Sequence, residues 1–420
     1  MEKLGGRGAY SPGGRRQWRS AANRVVRGRR GGHHLARRFV LSPLLAIAFA
    51  LLGALAFGFL AWAHLAFWRA RFAPRDRPDE IHYVRTADGW RIALRRYRPR
   101  GDGPRFAEPV ILCHGLGANH YNLDWDPPLG LAQALAERGR DCFVLSLRSH
   151  HGSDRPGLFN DLRWGFSFDD YLHHDVPAAI AHVLEVTGAE RVQWVGHSMG
   201  GILAYALGGT AWERRLAGGI VAVGSPASFA HQPYLVRLVK LGRLLAGRTR
   251  IRKRWLSRLL APFTGWFDPP FSELVIAPKS IEGPVIRRLQ AHVFEDISAG
   301  VMAQFADWVV NDCIRSLDRK VDYQASMRAL RVPILLVGGS KDMMAPPGCM
   351  RAAAEQIRCE DKTLLLFGKA YGSRVEYGHG DLILGTEAPN EIYPAIDAWL
   401  RARATPLEAA RGAVLRAERA

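Results

Sequence analysis

The stretch Val195-Gly196-His197-Ser198-Met199-Gly200-Gly201 admits few backbone paths. Arg191 to Val195 precedes it and reads as a short buried strand, and Gly201-Ile202-Leu203-Ala204-Tyr205-Ala206-Leu207 follows with the texture of a helix. A chain that passes from strand to helix in so few residues has to turn sharply at Ser198. Glycines at 196 and 200 suit that turn, because side chains there collide with the neighbouring strand and helix. The turn holds a serine hydroxyl exposed at a strand end in strained backbone geometry. A bare G-x-S-x-G recurs by chance in a chain with 43 glycines, so the meaning of the turn depends on its distant partners.

From about residue 80, short apolar strands alternate with amphipathic helices. Ile81–Arg85 and Trp90–Tyr97 read as a hairpin turned at Asp88-Gly89. Pro109–Cys113, Cys142–Leu147, Gly219–Val223, Val332–Val337 and Thr363–Phe367 read as buried strands, with helices near Leu129–Arg138 and Phe168–Val186. Alternation of this kind builds a mostly parallel, doubly wound central sheet flanked by helices, with functional groups at the carboxyl ends of the strands.

Ahead of this region runs Phe39 to Trp68, rich in Leu, Ala and Phe and free of Asp, Glu, Lys and Arg. At about 1.5 Å per residue, Leu44 to Trp68 alone exceeds a hydrocarbon core of roughly 30 Å. The segment is expected to be a single-pass transmembrane anchor with Trp62, Trp68 and Phe72 near one interface. Its orientation is not legible, since Arg24, Arg27, Arg29, Arg30, Arg37 and Arg38 before it balance Arg69, Arg71, Arg75, Arg77 and Arg85 after it. Residues 1–38 carry Lys3 and ten arginines against Glu2, about half of the net charge of +19. Such a tail is expected to be disordered and to lie beside anionic lipid headgroups rather than to bind a specific nucleic acid. Five scattered cysteines offer neither a disulfide framework nor a zinc spacing.

A serine hydroxyl is a poor nucleophile at neutral pH unless a histidine takes its proton and a carboxylate fixes that histidine. In a sheet of this kind the chain order is Ser, acid, His. Asp342 follows the strand that ends in Val337-Gly338-Gly339-Ser340-Lys341, and His379 follows the last strand in Glu376-Tyr377-Gly378-His379-Gly380-Asp381. Ser198, Asp342 and His379 are therefore the expected catalytic residues. The backbone N–H groups of Met199, next to the serine, and of Leu116, in His114-Gly115-Leu116-Gly117, are the expected oxyanion hole. His150, His151, Asp154, His173 and His174 lack a convincing ligand spacing, so neither a metal nor a cofactor is expected.

At this point the chain resembles the α/β-hydrolase superfamily, and within it the acid-lipase-like branch. The resemblance covers about residues 80–400. It rests on His114-Gly115-Leu116 with Asn119, Trp164-Gly165-Phe166-Ser167-Phe168-Asp169-Asp170, Asp175-Val176-Pro177-Ala178-Ala179-Ile180, the serine turn, and His379-Gly380-Asp381-Leu382 before Ala388-Pro389. It implies an α/β-hydrolase fold with a helical lid insertion and hydrolysis of lipid-like carboxylic esters through an acyl-Ser198 intermediate. The substrate it implies is a lipid or another acyl ester.

The resulting organisation has residues 1–38 as basic tail, 39–70 as transmembrane anchor, 78–225 and 331–405 as the two parts of the hydrolase core, 226–330 as lid, and 406–420 as C-terminal tail. Within the lid, Tyr234 to Leu260 carries Leu235, Leu238, Val239 and Leu245 at helical spacing and many basic residues, including Arg250, Arg252, Lys253, Arg254 and Arg258, with no acid. That pattern fits a membrane-surface helix as well as an ordinary cap helix. The same triad also serves acyl transfer to an alcohol. An alternative from another class is a non-catalytic lipid-binding protein at the membrane.

Overall fold

The computed structural model describes residues 43–75, 78–157, 159–232, 236–237, 239–240, 251–265, 274, 276–277 and 280–410. The expected basic tail 1–38, residues 39–42 of the expected anchor, Tyr234, Leu235, Leu238, Leu245 and Arg250 of the lid, and residues 411–420 lie outside that set. The chain divides into two units, Met1–Gly58 and Phe59–Ala420. The described part of the first unit belongs to the helix Pro43–Arg71, which has a mean hydropathy of 2.5 in its most apolar window, buries none of it, and is long and apolar enough to cross a membrane.

Among the described residues of the second unit, eight strands form one sheet: β1 Glu80–Arg85, β2 Arg91–Tyr97, β3 Val110–Cys113, β4 Cys142–Ser146, β5 Gln193–His197, β6 Ile220–Val223, β7 Ile334–Gly339 and β8 Lys362–Phe367. Their order is β1-β2-β4-β3-β5-β6-β7-β8. The β1–β2 hairpin pairs antiparallel, as does β2 with β4, and every other pairing is parallel. Strands β3 to β7 are buried at every position, as parallel strands covered on both faces must be. Trp194 and Val195 show the two-sided core directly, because they point into separate apolar clusters on opposite faces.

The parallel register aligns Cys113 with Gly196, Gly196 with Ala222, and Val223 with Val337. The carboxyl ends of β3, β5, β6 and β7 therefore share one edge. Over the connection from β6 to β7 the chain leaves the sheet and forms the helices Lys253–Leu260, Gly283–His292, Ala299–Asn311 and Tyr323–Ala329.

One local expectation changes. The helix expected across Phe168–Val186 contains a wider π-type stretch at Tyr171–Asp175 before regular helix resumes at Val176–Thr187. The extra residue in that turn keeps both Tyr171 and Val176 in the core while the fully buried Asp175 faces Arg148. Asp175 Oδ2 accepts from the Arg148 backbone N–H at 2.8 Å and Oδ1 from the guanidinium at 2.7 and 2.8 Å. The same guanidinium donates to Asp88 at 2.6 and 2.9 Å and lies over the Trp90 ring at 5.0 Å. Arg148 thus fastens the hairpin turn and the π-type stretch to the end of β4.

Removing one member of such a buried pair strands the other without compensation, at a cost of about 3–5 kcal/mol. Arg148→Ala is expected to lower the unfolding free energy by about that amount in denaturant titration. A loss below 1 kcal/mol contradicts this account.

Candidate active site

Strand β5 ends at His197, and the helix Met199–Ala206 begins one residue beyond Ser198. Ser198 adopts φ 52° and ψ −117°, a combination that L-residues avoid and that persists only where neighbours hold it. Its N–H donates to the Val223 carbonyl at 2.7 Å, and its carbonyl accepts from Gly201 N–H at 3.0 Å and Ile202 N–H at 3.2 Å. The turn is tight enough to require its glycines. A Cβ on Gly196 stands 2.3 Å from the Gly200 carbonyl, and one on Gly200 stands 2.3 Å from the Cys113 carbonyl.

His379 and Asp342, expected from chain order, come together. His379 Nδ1 lies 2.9 Å from Asp342 Oδ2, and both side chains are buried. The other carboxylate oxygen accepts backbone N–H groups from Met344 at 2.8 Å and Ala345 at 2.7 Å, so the acid is fixed before it meets the imidazole. The histidine loop is held in turn by Asp381, whose carboxylate accepts from Gly378 N–H at 2.8 Å and Ala277 N–H at 3.1 Å. With Nδ1 engaged by Asp342, Nε2 is the ring nitrogen left for the serine.

Leu116 lines the same cavity as Ser198 and His379, and Met199 is the first residue of the helix behind the serine. The loop bearing Leu116 is pinned on two sides. His114 Nδ1 lies 2.9 Å from the Gly115 carbonyl and its Nε2 lies 3.3 Å from the Leu147 N–H; burial holds this ring down to about 3, so it is neutral, donating from Nδ1 and accepting at Nε2. On the other side Glu295 N–H donates to the Gly117 carbonyl at 2.9 Å. The buried Glu295 carboxylate takes Asn119 Nδ2 at 3.0 Å and Arg155 at 2.7 Å.

Three features of the site were not found from sequence. Gly224, just past β6, has φ +57° and sits against the Asp342–His379 pair: a Cβ there stands 3.2 Å from both Asp342 Oδ2 and His379 Nδ1. His197 braces the histidine loop. Burial, with His379 beside it, holds His197 down to about 3, so the ring is neutral and donates once. Its Nε2 lies 3.0 Å from the His379 carbonyl and its Nδ1 lies 2.8 Å from Asn122 Oδ1; both oxygens are acceptors, so the ring's single N–H serves one of them. Lys253 is the third feature, since it lines a cavity whose walls, apart from the site itself and Gln290, are apolar. His197 lies inside the G-x-S-x-G stretch, but that pattern leaves its position open to any residue, and no strand or motif pattern announces the placement of Gly224 or Lys253.

The cavity measures about 660 Å³ and is lined by Ser198 and His379 on the sheet side and by Ile251, Ile286, Leu289, Val293 and Phe305 from the cap. Its size and apolar walls suit a small organic ligand. The basic cap run is less exposed than its composition suggests. Lys253, Arg254 and Arg258 are half-buried and Arg258 Nε donates to the Ala291 carbonyl at 3.3 Å, while Trp255 and Leu256 are about half exposed.

Elsewhere, burial pushes the Cys113 thiol up, away from the thiolate a nucleophile requires. Among the described residues Asp88, Asp170 and His174 bring ligand atoms within 4.8 Å of one another. Arg148 already supplies the cation there, through its two bonds to Asp88.

The profile of the alpha/beta hydrolase family matches residues 110–409. Lipase member K of Homo sapiens is 26% identical over 355 residues, covering 75% of this chain and 86% of that protein. The human lysosomal acid lipase/cholesteryl ester hydrolase is 32% identical over 137 residues, covering 30% of this chain and 34% of that protein. Against two further lipases, from Drosophila melanogaster and Schizosaccharomyces pombe, the chain spans only 28% and 30% of their length. Among solved structures, a soluble variant of monoglyceride lipase from Saccharomyces cerevisiae in complex with a substrate analogue aligns with a TM-score of 0.54 at 18% identity, covering 79% of this chain and 96% of that one. At that identity the likeness speaks to the fold alone. With its sheet order, its serine turn and a profile match over most of its 420 residues, the chain belongs to the alpha/beta hydrolase family.

Proposed function

We propose that this chain is a membrane-anchored serine hydrolase of carboxylic, lipid-like esters, with Ser198 as nucleophile, His379 as general base and Asp342 as the carboxylate that orients it. The observation that carries this reading is one constellation. A serine in strained φ/ψ shares an apolar cavity with a histidine whose Nδ1 is held 2.9 Å from a buried aspartate. The lipase relatives support the ester class. The helix Pro43–Arg71 acts as anchor and residues 226–330 as lid.

In this mechanism His379 Nε2 takes the Ser198 proton as Oγ attacks the ester carbonyl carbon. Asp342 keeps the proton of Nδ1 in place and stabilises the imidazolium that forms. The carbonyl oxygen becomes an oxyanion and receives the N–H groups of Leu116 and Met199. Collapse of the tetrahedral intermediate breaks the C–O bond to the alcohol, which leaves with the proton from Nε2. Water then repeats the sequence on the acyl-Ser198 ester and releases the carboxylic acid.

A fluorophosphonate probe is expected to label the full-length protein, and Ser198→Ala to abolish labelling and reduce turnover by about 10⁶-fold. Folded wild-type protein that resists the probe overturns the proposal. Gly224→Ala places a methyl against both the acid and the base in a backbone region that disfavours side chains. Steady-state kinetics are expected to show kcat reduced by about 10²-fold, and an unchanged kcat rejects the close packing of Gly224 on the dyad.

Burial also sets a pH dependence. His114 and His197 are held down to about 3, and His150 and His292 to about 4, each because desolvation disfavours the imidazolium. Unfolded histidines titrate near pH 6.5, so below that pH the unfolded chain binds more protons than the folded one. Stability is expected to fall as pH drops from about 6.5 towards 4. Thermal unfolding followed between pH 7 and 4.5 checks this, and a Tm that stays level or rises on acidification contradicts it.

A further inference from the structure

We infer that Lys253 makes the cavity a site for an amphiphile with an anionic group, carboxylate or phosphate, placed away from the ester that Ser198 attacks. The location of that ester rests on the proposed function; the binding of the anion does not.

The cavity wall is the first argument. Among its described lining residues Lys253 carries the one formal positive charge fixed at neutral pH, and none is acidic. A wall made only to hold an alkyl chain gains nothing from an ammonium, because an unpaired charge in an apolar enclosure is unfavourable. Leucine or methionine fills the same space without that cost.

The second argument is the state of the neighbouring acids. Glu295 is taken by Arg155 and Asn119, and one oxygen of Asp296 accepts the backbone N–H of Arg254. Among the described residues Lys253 has no carboxylate partner; its ammonium lies 3.9 Å from the centroid of the Phe294 ring. A ring face favours a cation but leaves its remaining N–H donors open. Lys253 is half-buried, and this partial desolvation without a counter-charge pushes the ammonium down to about 8, so it is still mostly protonated at pH 7, and a bound anion raises it again.

The third argument is position. Lys253 opens the helix Lys253–Leu260, and Ser257, one turn on, donates to the Gln290 carbonyl at 2.5 Å. That bond ties Lys253's helix to the neighbouring cap helix, which supplies Ile286 and Leu289 to the cavity wall. Lys253 is therefore held on the cap side of the cavity, while Ser198 and His379 form the sheet side. An amphiphile that bridges the two sides meets the serine at its ester and the lysine at its anionic group.

The test measures binding without turnover. Full-length protein carrying Ser198→Ala is titrated at pH 7 with octanoate, octyl phosphate and neutral octanol, followed by calorimetry. At least one anion is expected to bind tenfold or more tightly than octanol; which one does so tells a carboxylate source from a phosphate source. Lys253→Met in the same background should bring the ratio below twofold while octanol affinity holds, and Lys253→Arg should retain the preference. In the Ser198→Ala protein itself the preference should fade between pH 7 and 9.5, a readout that stands even if the methionine variant fails to fold. Equal affinities for all three ligands, no binding of any, or a preference that survives Lys253→Met or pH 9.5 overturns the inference. Anion preference in a protein that resists the fluorophosphonate rejects the hydrolase reading alone, and labelling without anion preference rejects this inference alone.

Discussion

The backbone at Ser198 is the constraint on which the rest of the site depends. Its φ of 52° is unfavourable for a serine, and the cost is carried by bonds on both sides: its N–H is held by Val223, and its carbonyl starts the helix that follows. For this to work, β5 has to lie between β3 and β6, with β3 close enough for the Cys113 carbonyl to touch the turn. The sheet order is thus a requirement of one residue's geometry as much as a result of apolar burial. The same register brings the ends of β6 and β7 beside the turn, where Gly224 leaves room for Asp342 and His379 to meet.

Around that turn the chain uses neutral histidines and occupied carboxylates as fixed struts. His114 and His197 are too deeply buried to charge, and each spans two groups that belong to different loops. Glu295 reaches from the cap to the loop carrying Leu116 through its own N–H and, by way of Asn119, through its carboxylate. The Trp164–Asp170 block joins core to cap in the same way. Ser298 Oγ donates to the Phe166 carbonyl, Gln304 donates to Asp169 at 2.6 Å, and Phe168 is buried against Trp308 at 4.9 Å between ring centres. Residues that read as a motif in the sequence prove to be the joint between the two parts of the structure.

Much of this is legible in the sequence. The glycines around Ser198 reveal the turn because only backbone fits at positions 196 and 200, and strand ends can be read from buried apolar runs, so the loops holding Asp342 and His379 could be named from chain order. What escaped was everything decided by distant packing. Gly224 follows an ordinary strand and is one glycine among 43; its place in the site exists only because Asp342 and His379 arrive from elsewhere. The π-type stretch at Tyr171–Asp175 answers to Arg148, some two dozen residues earlier. Lys253 sits in a run of basic residues whose pattern fits a solvated helix face equally well, and its placement in the cavity is set by the cap helices that surround it.

The end of the apolar helix shows how the cap and that segment are joined within the second unit. The last carbonyls of any helix lack intrahelical partners and need donors from elsewhere. Here His292 Nε2 lies 3.0 Å from the Arg69 carbonyl, and just past the helix end Arg288 donates to the carbonyls of Phe72 at 3.4 Å and Ala73 at 3.2 Å. Burial keeps His292 neutral, so its one N–H is committed to that carbonyl. Both donors stand on Gly283–His292, the helix that also gives Ile286 and Leu289 to the cavity wall. One face of this cap helix therefore satisfies the end of the apolar segment while another shapes the cavity. A displacement of that helix by even a few ångströms cannot preserve both sets of contacts, because hydrogen bonds weaken steeply with distance and close-packed side chains leave no slack.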